Sequence, residues 1–173
     1  MDFIKLELTA TEYNGWPKCK FYIDSDLIED YTFTTGRAEI TLPVDLLDGE
    51  HSLIIELYDK TSRNTKFENN QIVQDQLVTL ENIYINNIKL PNAIKYFGVY
   101  KFNDQTIPQG LTWGCNGQWT WVFETPIVTW VLDKKIEENE KYNPPLVPFR
   151  EKIKLEQEKL EILASKLEQY NVQ

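Results

Sequence analysis

Asp48-Gly49-Glu50-His51-Ser52-Leu53-Ile54-Ile55-Glu56-Leu57-Tyr58 is the stretch whose reading decides the fold class. Asp-Gly is a turn signal of the kind hairpins use. The residues after it alternate, with Leu53, Ile55 and Leu57 on one face and Ile54 on the other. A repeat of two is the period of a pleated strand. The same period appears on both sides. Ile4, Leu6 and Leu8 alternate with Lys5 and Glu7, and Cys19, Phe21 and Ile23 alternate with Lys18, Lys20 and Tyr22. Tyr13-Asn14-Gly15-Trp16-Pro17 reads as a turn, and Asp24-Ser25-Asp26 as a tight one that returns the chain through residues 27–33 as a hairpin. Short strands follow at residues 38–42 and 77–90, the second broken near Asn86-Asn87.

After Pro91 the composition turns aromatic. Asn116-Gly117 is a hairpin signal, Trp119, Trp121 and Phe123 share one face, and residues 127–132 read as a further strand. No helix-sized spacer separates the strands, which disfavours a parallel α/β fold. The expected fold is therefore mainly β, an antiparallel jelly-roll-like β-sandwich over residues 1–133. Residues 134–148 read as a charged and then proline-rich linker, and residues 149–173 as a C-terminal helix. Ile153, Leu160 and Leu167 recur every seventh residue, and Leu163 and Tyr170 form a second such series. Two to three heptads do not establish a coiled coil. An isolated helix of this length is marginal in water, so Leu160, Leu163 and Leu167 are expected to pack on the sandwich or on a neighbour.

Bulk properties exclude several functions. The 173 residues are 42% apolar and 13% aromatic, enough for a core, and carry a net charge of −9. That charge opposes binding to nucleic-acid phosphates or to an anionic membrane surface. No segment approaches the roughly 20 apolar residues that span a bilayer, and Met1-Asp2 leads straight into strand text without a secretory pattern. With one histidine, His51, and two cysteines, a structural zinc site is not expected. Cys19 and Cys115 read as buried free thiols, with a disulfide between them left open.

Nothing marks a catalytic centre. His51 reads as a strand start, no phosphate-binding or dinucleotide motif occurs, and 27 acidic residues single out no pair for glycoside hydrolysis. Two binding candidates stand out. The polar segment between Asp59 and Asp75 offers the oxygen donors Asp59, Asn69, Asn70 and Asp75, with Gln76 beside them. Calcium takes hard oxygen ligands, so Asp59, Asn70 and Asp75 are the metal candidates. The second candidate is aromatic, because sugar rings stack on indole and phenol faces. Trp16, beside Tyr13 and Asn14 in its turn, and Trp113, in a glycine-rich loop, are the carbohydrate candidates, with burial as the competing reading of each. Trp119 and Trp121 read as core or interface.

With those residues in view, residues 4–90 resemble the calcium-dependent, xylan-binding type of carbohydrate-binding module. The resemblance runs through Leu6-Glu7-Leu8, the Asp24-Ser25-Asp26 hairpin, residues 47–57 (LDGEHSLIIEL) and residues 80–90 (LENIYINNIKL). It implies a jelly-roll sandwich, a bound calcium ion with Asp59 and Asp75 at the matching places, and a polysaccharide ligand. The whole chain is also similar to small proteins of contractile-tailed marine phages, through EYNGWP at 12–17, QDQLVTL at 74–80, QGLTWGCNGQWTW at 109–121 and KYNPP at 141–145. This second resemblance implies a virion component, made in the host cytoplasm and docked to other virion proteins or to itself. The combined expectation is a non-enzymatic virion structural or assembly protein. A calcium-dependent glycan-binding module is the alternative, and a glycoside-active enzyme ranks third.

Overall fold

The structure, a computed structural model, describes residues 2–142. The elements in chain order begin with β1 (Asp2–Thr11), β2 (Lys18–Ile23), β3 (Asp26–Thr32), β4 (Arg37–Val44) and β5 (Gly49–Tyr58). A 3-10 turn at Ser62–Asn64 leads into β6 (Thr65–Glu68) and β7 (Gln71–Asp75). Then come β8 (Leu77–Ile85), β9 (Ile88–Lys89), helix α1 (Asn92–Lys95), β10 (Val99–Phe102) and β11 (Gln105–Pro108). The last elements are β12 (Thr112–Trp113), β13 (Gly117–Thr125) and helix α2 (Ile127–Tyr142).

The strands pair antiparallel in two main sheets. One has the order β12-β8-β1-β4, with β9 on β8, and the other the order β11-β10-β13-β5-β2-β3. Strand β5 is central in the second sheet between β13 and β2, and its Leu53, Ile55 and Leu57 are buried as their alternation predicts. Ile4, Leu6 and Leu8 of β1 enter the same core from the first sheet. The expected antiparallel sandwich is thus the fold observed.

Aromatic side chains fill much of the space between the sheets. Trp119, Trp121 and Phe123 of β13 are buried, and Trp121 stacks on Phe123 with centroids 4.6 Å apart. Gly98 lies so close to the indole of Trp119 that a Cβ there would meet ring carbons at 2.2 Å. Among the described residues, four tight hairpins turn on Asp24-Ser25, Asn69-Asn70, Asn86-Asn87 and Asn103-Asp104, each pair with both φ angles positive. Two successive left-handed residues suit the twist of a two-residue hairpin, and asparagine and aspartate tolerate that conformation better than most side chains.

Five local readings differ from the structure. Residues 59–75 are not an open polar loop: most of them form the 3-10 turn and the β6–β7 arm, with Asn69-Asn70 at its tip. Neither Asp48-Gly49 nor Asn116-Gly117 closes a hairpin, because the strands flanking each lie in different sheets. Residues 127–132 open helix α2, which occupies what read as a strand and the start of the linker. Ile127, Trp130 and Val131 pack on the core while Val128 and Leu132 stay exposed, a helical spacing that a continuous apolar run conceals. Finally, both thiols are free, but only Cys19 is buried, where desolvation pushes it up to about 12; Cys115 is exposed. The compact unit ends at Leu132. In the described part of the second unit Lys134 pairs with Glu137 at 2.9 Å. The rest of the expected linker and the expected C-terminal helix, with Leu160, Leu163 and Leu167, lie outside the described residues.

Candidate functional site

β5 leaves its sheet at Tyr58-Asp59-Lys60, and the chain turns sharply because Asp59 adopts φ 63°. Lys60 is gripped at its backbone by Asn116. Its N–H donates to Asn116 Oδ1 at 2.8 Å, and Asn116 Nδ2 donates to its carbonyl at 2.8 Å. The side chain runs inward, and its ammonium donates to Asp75 Oδ1 at 2.5 Å, to the Gln76 carbonyl at 2.9 Å and to the Gly114 carbonyl at 2.5 Å. Asp75 Oδ1 also accepts from Thr65 Oγ1 at 2.6 Å and from the Gln76 N–H at 3.0 Å.

The same region holds the turn that carries Trp16. Asn64 Nδ2 donates to the carbonyls of Tyr13 and Asn14 at 3.3 and 3.0 Å, and Gln76 Nε2 donates to the Gly15 carbonyl at 2.9 Å. Asn14 Nδ2 returns a bond to the Arg63 carbonyl at 2.6 Å. These side-chain amides tie a turn with left-handed Asn14 (φ 50°) and Gly15 (φ 111°) to the β5–β6 connection and the start of β8. Trp16 is half-buried against the core and lines a groove of about 440 Å³ together with Asn14, Lys18, Tyr58, Asp59 and Asn64. Tyr58 and Asp59 also border a neighbouring groove of about 390 Å³ with Asn103 and Asn116. One wall is aromatic, and beside it stand an ammonium, a carboxylate and amides. Lys18 Nζ lies 2.6 Å from Asp59 Oδ2. Tyr58 donates its hydroxyl to Asp30 at 2.6 Å, which pushes its pKa up to about 12, and Lys20 sits 4.5 Å from its ring centroid.

The sequence candidates separate clearly in space. Trp16 lines the groove; Tyr13 is half-buried on the same turn and is not a lining residue. Trp113 is a correction. It is 1% exposed, stacked on Tyr100 at 5.6 Å and 9°, and donates its indole N–H to the Gly110 carbonyl at 2.9 Å, so no indole face is open to a sugar. Asp59, Asn70 and Asp75 do not converge as one ligand set. Asp59 pairs with Lys18, Asp75 is enclosed with Lys60, and Asn70 is exposed at the tip of the β6–β7 arm. Among the described residues no group of three or more His, Cys, Asp or Glu side chains is arranged to hold a metal ion, and the donor set expected for calcium does not fit it here. Sequence reasoning missed Tyr58, Lys18, Lys60 and Asn64. The legible signal was Tyr58-Asp59-Lys60 at the exit of a strong strand, where an outward aromatic meets a turn.

At the other end of β5, His51 Nδ1 lies 2.7 Å from Asp24 Oδ2 and Nε2 lies 2.7 Å from the Leu47 carbonyl. Two acceptors require both nitrogens to carry protons, so this geometry is that of the imidazolium. Burial works against the charge, but the Leu47 carbonyl and the Asp24 carboxylate outweigh it and raise His51 above 6.5. Burial likewise opposes ionised Asp24, and His51 with the Ser52 N–H outweighs it, lowering Asp24 below 3.8. The histidine's contribution to stability is complete below its unfolded value and disappears as pH rises through its raised folded value. The contribution of Asp24 is present above its unfolded value and disappears as pH falls through its lowered folded value. Urea midpoints of the parent are therefore expected to decline above pH ~6.5. His51→Gln should flatten that decline; an unchanged slope would assign it to other groups.

No protein-family model matches the sequence, and no curated protein does. Two solved structures are similar. One is the selenomethionine form of vCBM60, from work linking two families of calcium-dependent carbohydrate binding modules by circular permutation. It is 15% identical with a TM-score of 0.49, over 70% of this chain and 90% of that one. The other is vCBM60 in complex with galactobiose, 14% identical with a TM-score of 0.46, over 69% of this chain and 96% of that one. The likeness is one of fold and identifies no residue of this chain. No helix among the described residues is long and apolar enough to cross a membrane.

Proposed function

We propose that this chain is a non-catalytic binding module that holds a glycan in the Trp16 groove. The observation that carries the reading is the presentation of Trp16. Its turn is fixed by the side-chain amides of Asn64 and Gln76, and Lys18, Asp59 and Asn14 stand around it. Stacking on a rigid indole needs little ordering on binding, and the neighbouring donors and acceptors match sugar hydroxyls. His51, bonded at both ring nitrogens, has no free position for acid–base work.

The test is a glycan array with the purified chain, in calcium and again with a chelator. Trp16→Ala should weaken binding to any positive glycan by about tenfold or more. Because the indole also packs on the core, the unfolding midpoint should fall as well, and affinity is compared at a temperature where both chains are folded. Equal affinity of parent and variant would remove Trp16 from the site. Because lysines engage both Asp59 and Asp75, binding is expected to survive chelation.

A second reading, a virion structural or assembly protein docked to other virion proteins or to a second copy, is supported by the β6–β7 arm. Phe67, Ile72 and Val73 on it are 62%, 57% and 45% exposed, a concentration of apolar surface on one two-stranded hairpin. A blank array, together with loss of virion incorporation when residues 146–173 are removed, would favour this role. Incorporation that persists without them would count against it.

A further inference from the structure

The oxygens around Lys60 have the chemistry of a metal site and hold an ammonium instead. A carboxylate oxygen of Asp75 and the carbonyl oxygens of Gln76 and Gly114 lie 2.5, 2.9 and 2.5 Å from one nitrogen. They come from the end of β7, from the residue before β8 and from the link between β12 and β13. Oxygens aimed at a common point repel one another unless a cation stands between them. The approach of Gly114 is built for closeness: a Cβ there would meet Leu77 Cδ2 at 2.8 Å and Asp75 Oδ2 at 3.0 Å. The Lys60 and Asp75 side chains are only 6% and 12% exposed, so water screens the pair weakly. The Asn116 clamp on the Lys60 backbone fixes where the side chain enters.

We propose that Lys60 is a resident cation that takes the place of a metal ion in this corner of the sandwich, so that the loops around the Trp16 groove are ordered without metal. The converse follows from the same geometry. Removing the ammonium and its stem leaves one carboxylate and two carbonyl oxygens converging on a vacated space that water can enter. Those are hard oxygen donors of the type calcium takes, with waters able to complete its coordination. With Lys60 present, its charge repels any divalent ion from those oxygens.

The experiment measures thermal unfolding of the parent, Lys60→Ser and Lys60→Met, each in chelator and in calcium up to ~10 mM, above the range of weak module-type sites. The parent is expected to unfold at the same temperature in both. Lys60→Ser should unfold about 10 °C lower in chelator and regain at least about 3 °C in calcium. Lys60→Met, which keeps the stem and fills the space, should be lowered without a calcium response. If Lys60→Ser is unfolded in chelator, calcium-induced refolding followed by tryptophan fluorescence is the equivalent positive result. A parent stabilised by calcium would overturn the proposal. So would a Lys60→Ser chain that calcium neither stabilises nor refolds, or a Lys60→Met chain that responds to calcium as Lys60→Ser does. These readouts use no glycan, so they stand or fall apart from the proposed sugar binding.

Discussion

Replacing Asp75 by alanine is expected to lower stability by about 3–5 kcal/mol, because it leaves a buried ammonium without its countercharge. Asp75 Oδ1 is the acceptor shared by Lys60, Thr65 and the Gln76 N–H, and it lies where the β6–β7 arm joins the first sheet. Losing it should loosen the arm, the Gln76 anchor of the Trp16 turn and the Gly114 link together. Asp59 is the control. Its pair with Lys18 is as short at 2.6 Å, but the side chains are 57% and 40% exposed. Asparagine keeps the left-handed conformation of residue 59 and removes only the charge, so solvent screening there limits the cost of Asp59→Asn to about 1 kcal/mol or less. Urea unfolding of both variants separates the two cases. Equal losses would show that the Lys60–Asp75 pair gains nothing from its enclosure.

Trp121→Ala should cost a comparable amount, about 3–5 kcal/mol, through the cavity left in the core. Trp121 is 0% exposed and stacks on Phe123, with Trp130 of helix α2 edge-on at 5.6 Å. Its indole N–H donates to the Ile94 carbonyl at 3.1 Å, so the truncation also leaves that acceptor without this donor. Val122, the next residue on β13, points outward and is 46% exposed; Val122→Ala should stay within about 0.5 kcal/mol. Urea midpoints for the pair test the register of β13. Similar losses at both positions would contradict the assigned faces.

The strands were legible because a half-buried strand writes its two faces into alternate residues. That is why Ile4, Leu6 and Leu8, Cys19, Phe21 and Ile23, and Leu53, Ile55 and Leu57 are all found facing inward. The same logic failed at residues 127–132, where five apolar side chains in six positions satisfy either period and the helix is set by packing of Ile127 and Trp130 on the core. It failed differently at Trp16 and Trp113. Both lie next to glycine in turn-like text, and nothing local distinguishes a tryptophan lining a groove from one stacked beneath Tyr100.

By itself, then, the sequence determined the mainly β class, the inward faces of its principal strands and the aromatic filling of the core, all properties of neighbours along the chain. Tertiary structure alone decided which acids are neutralised and which aromatic is available. Asp75 meets an ammonium 15 positions away, that ammonium meets a carbonyl 54 positions on, and Gln76 anchors the Trp16 turn across 61. A carboxylate's readiness for a metal, or an indole's for a sugar, depends on what the fold brings within about 3 Å of it, and periodicity along the chain carries no record of such partners.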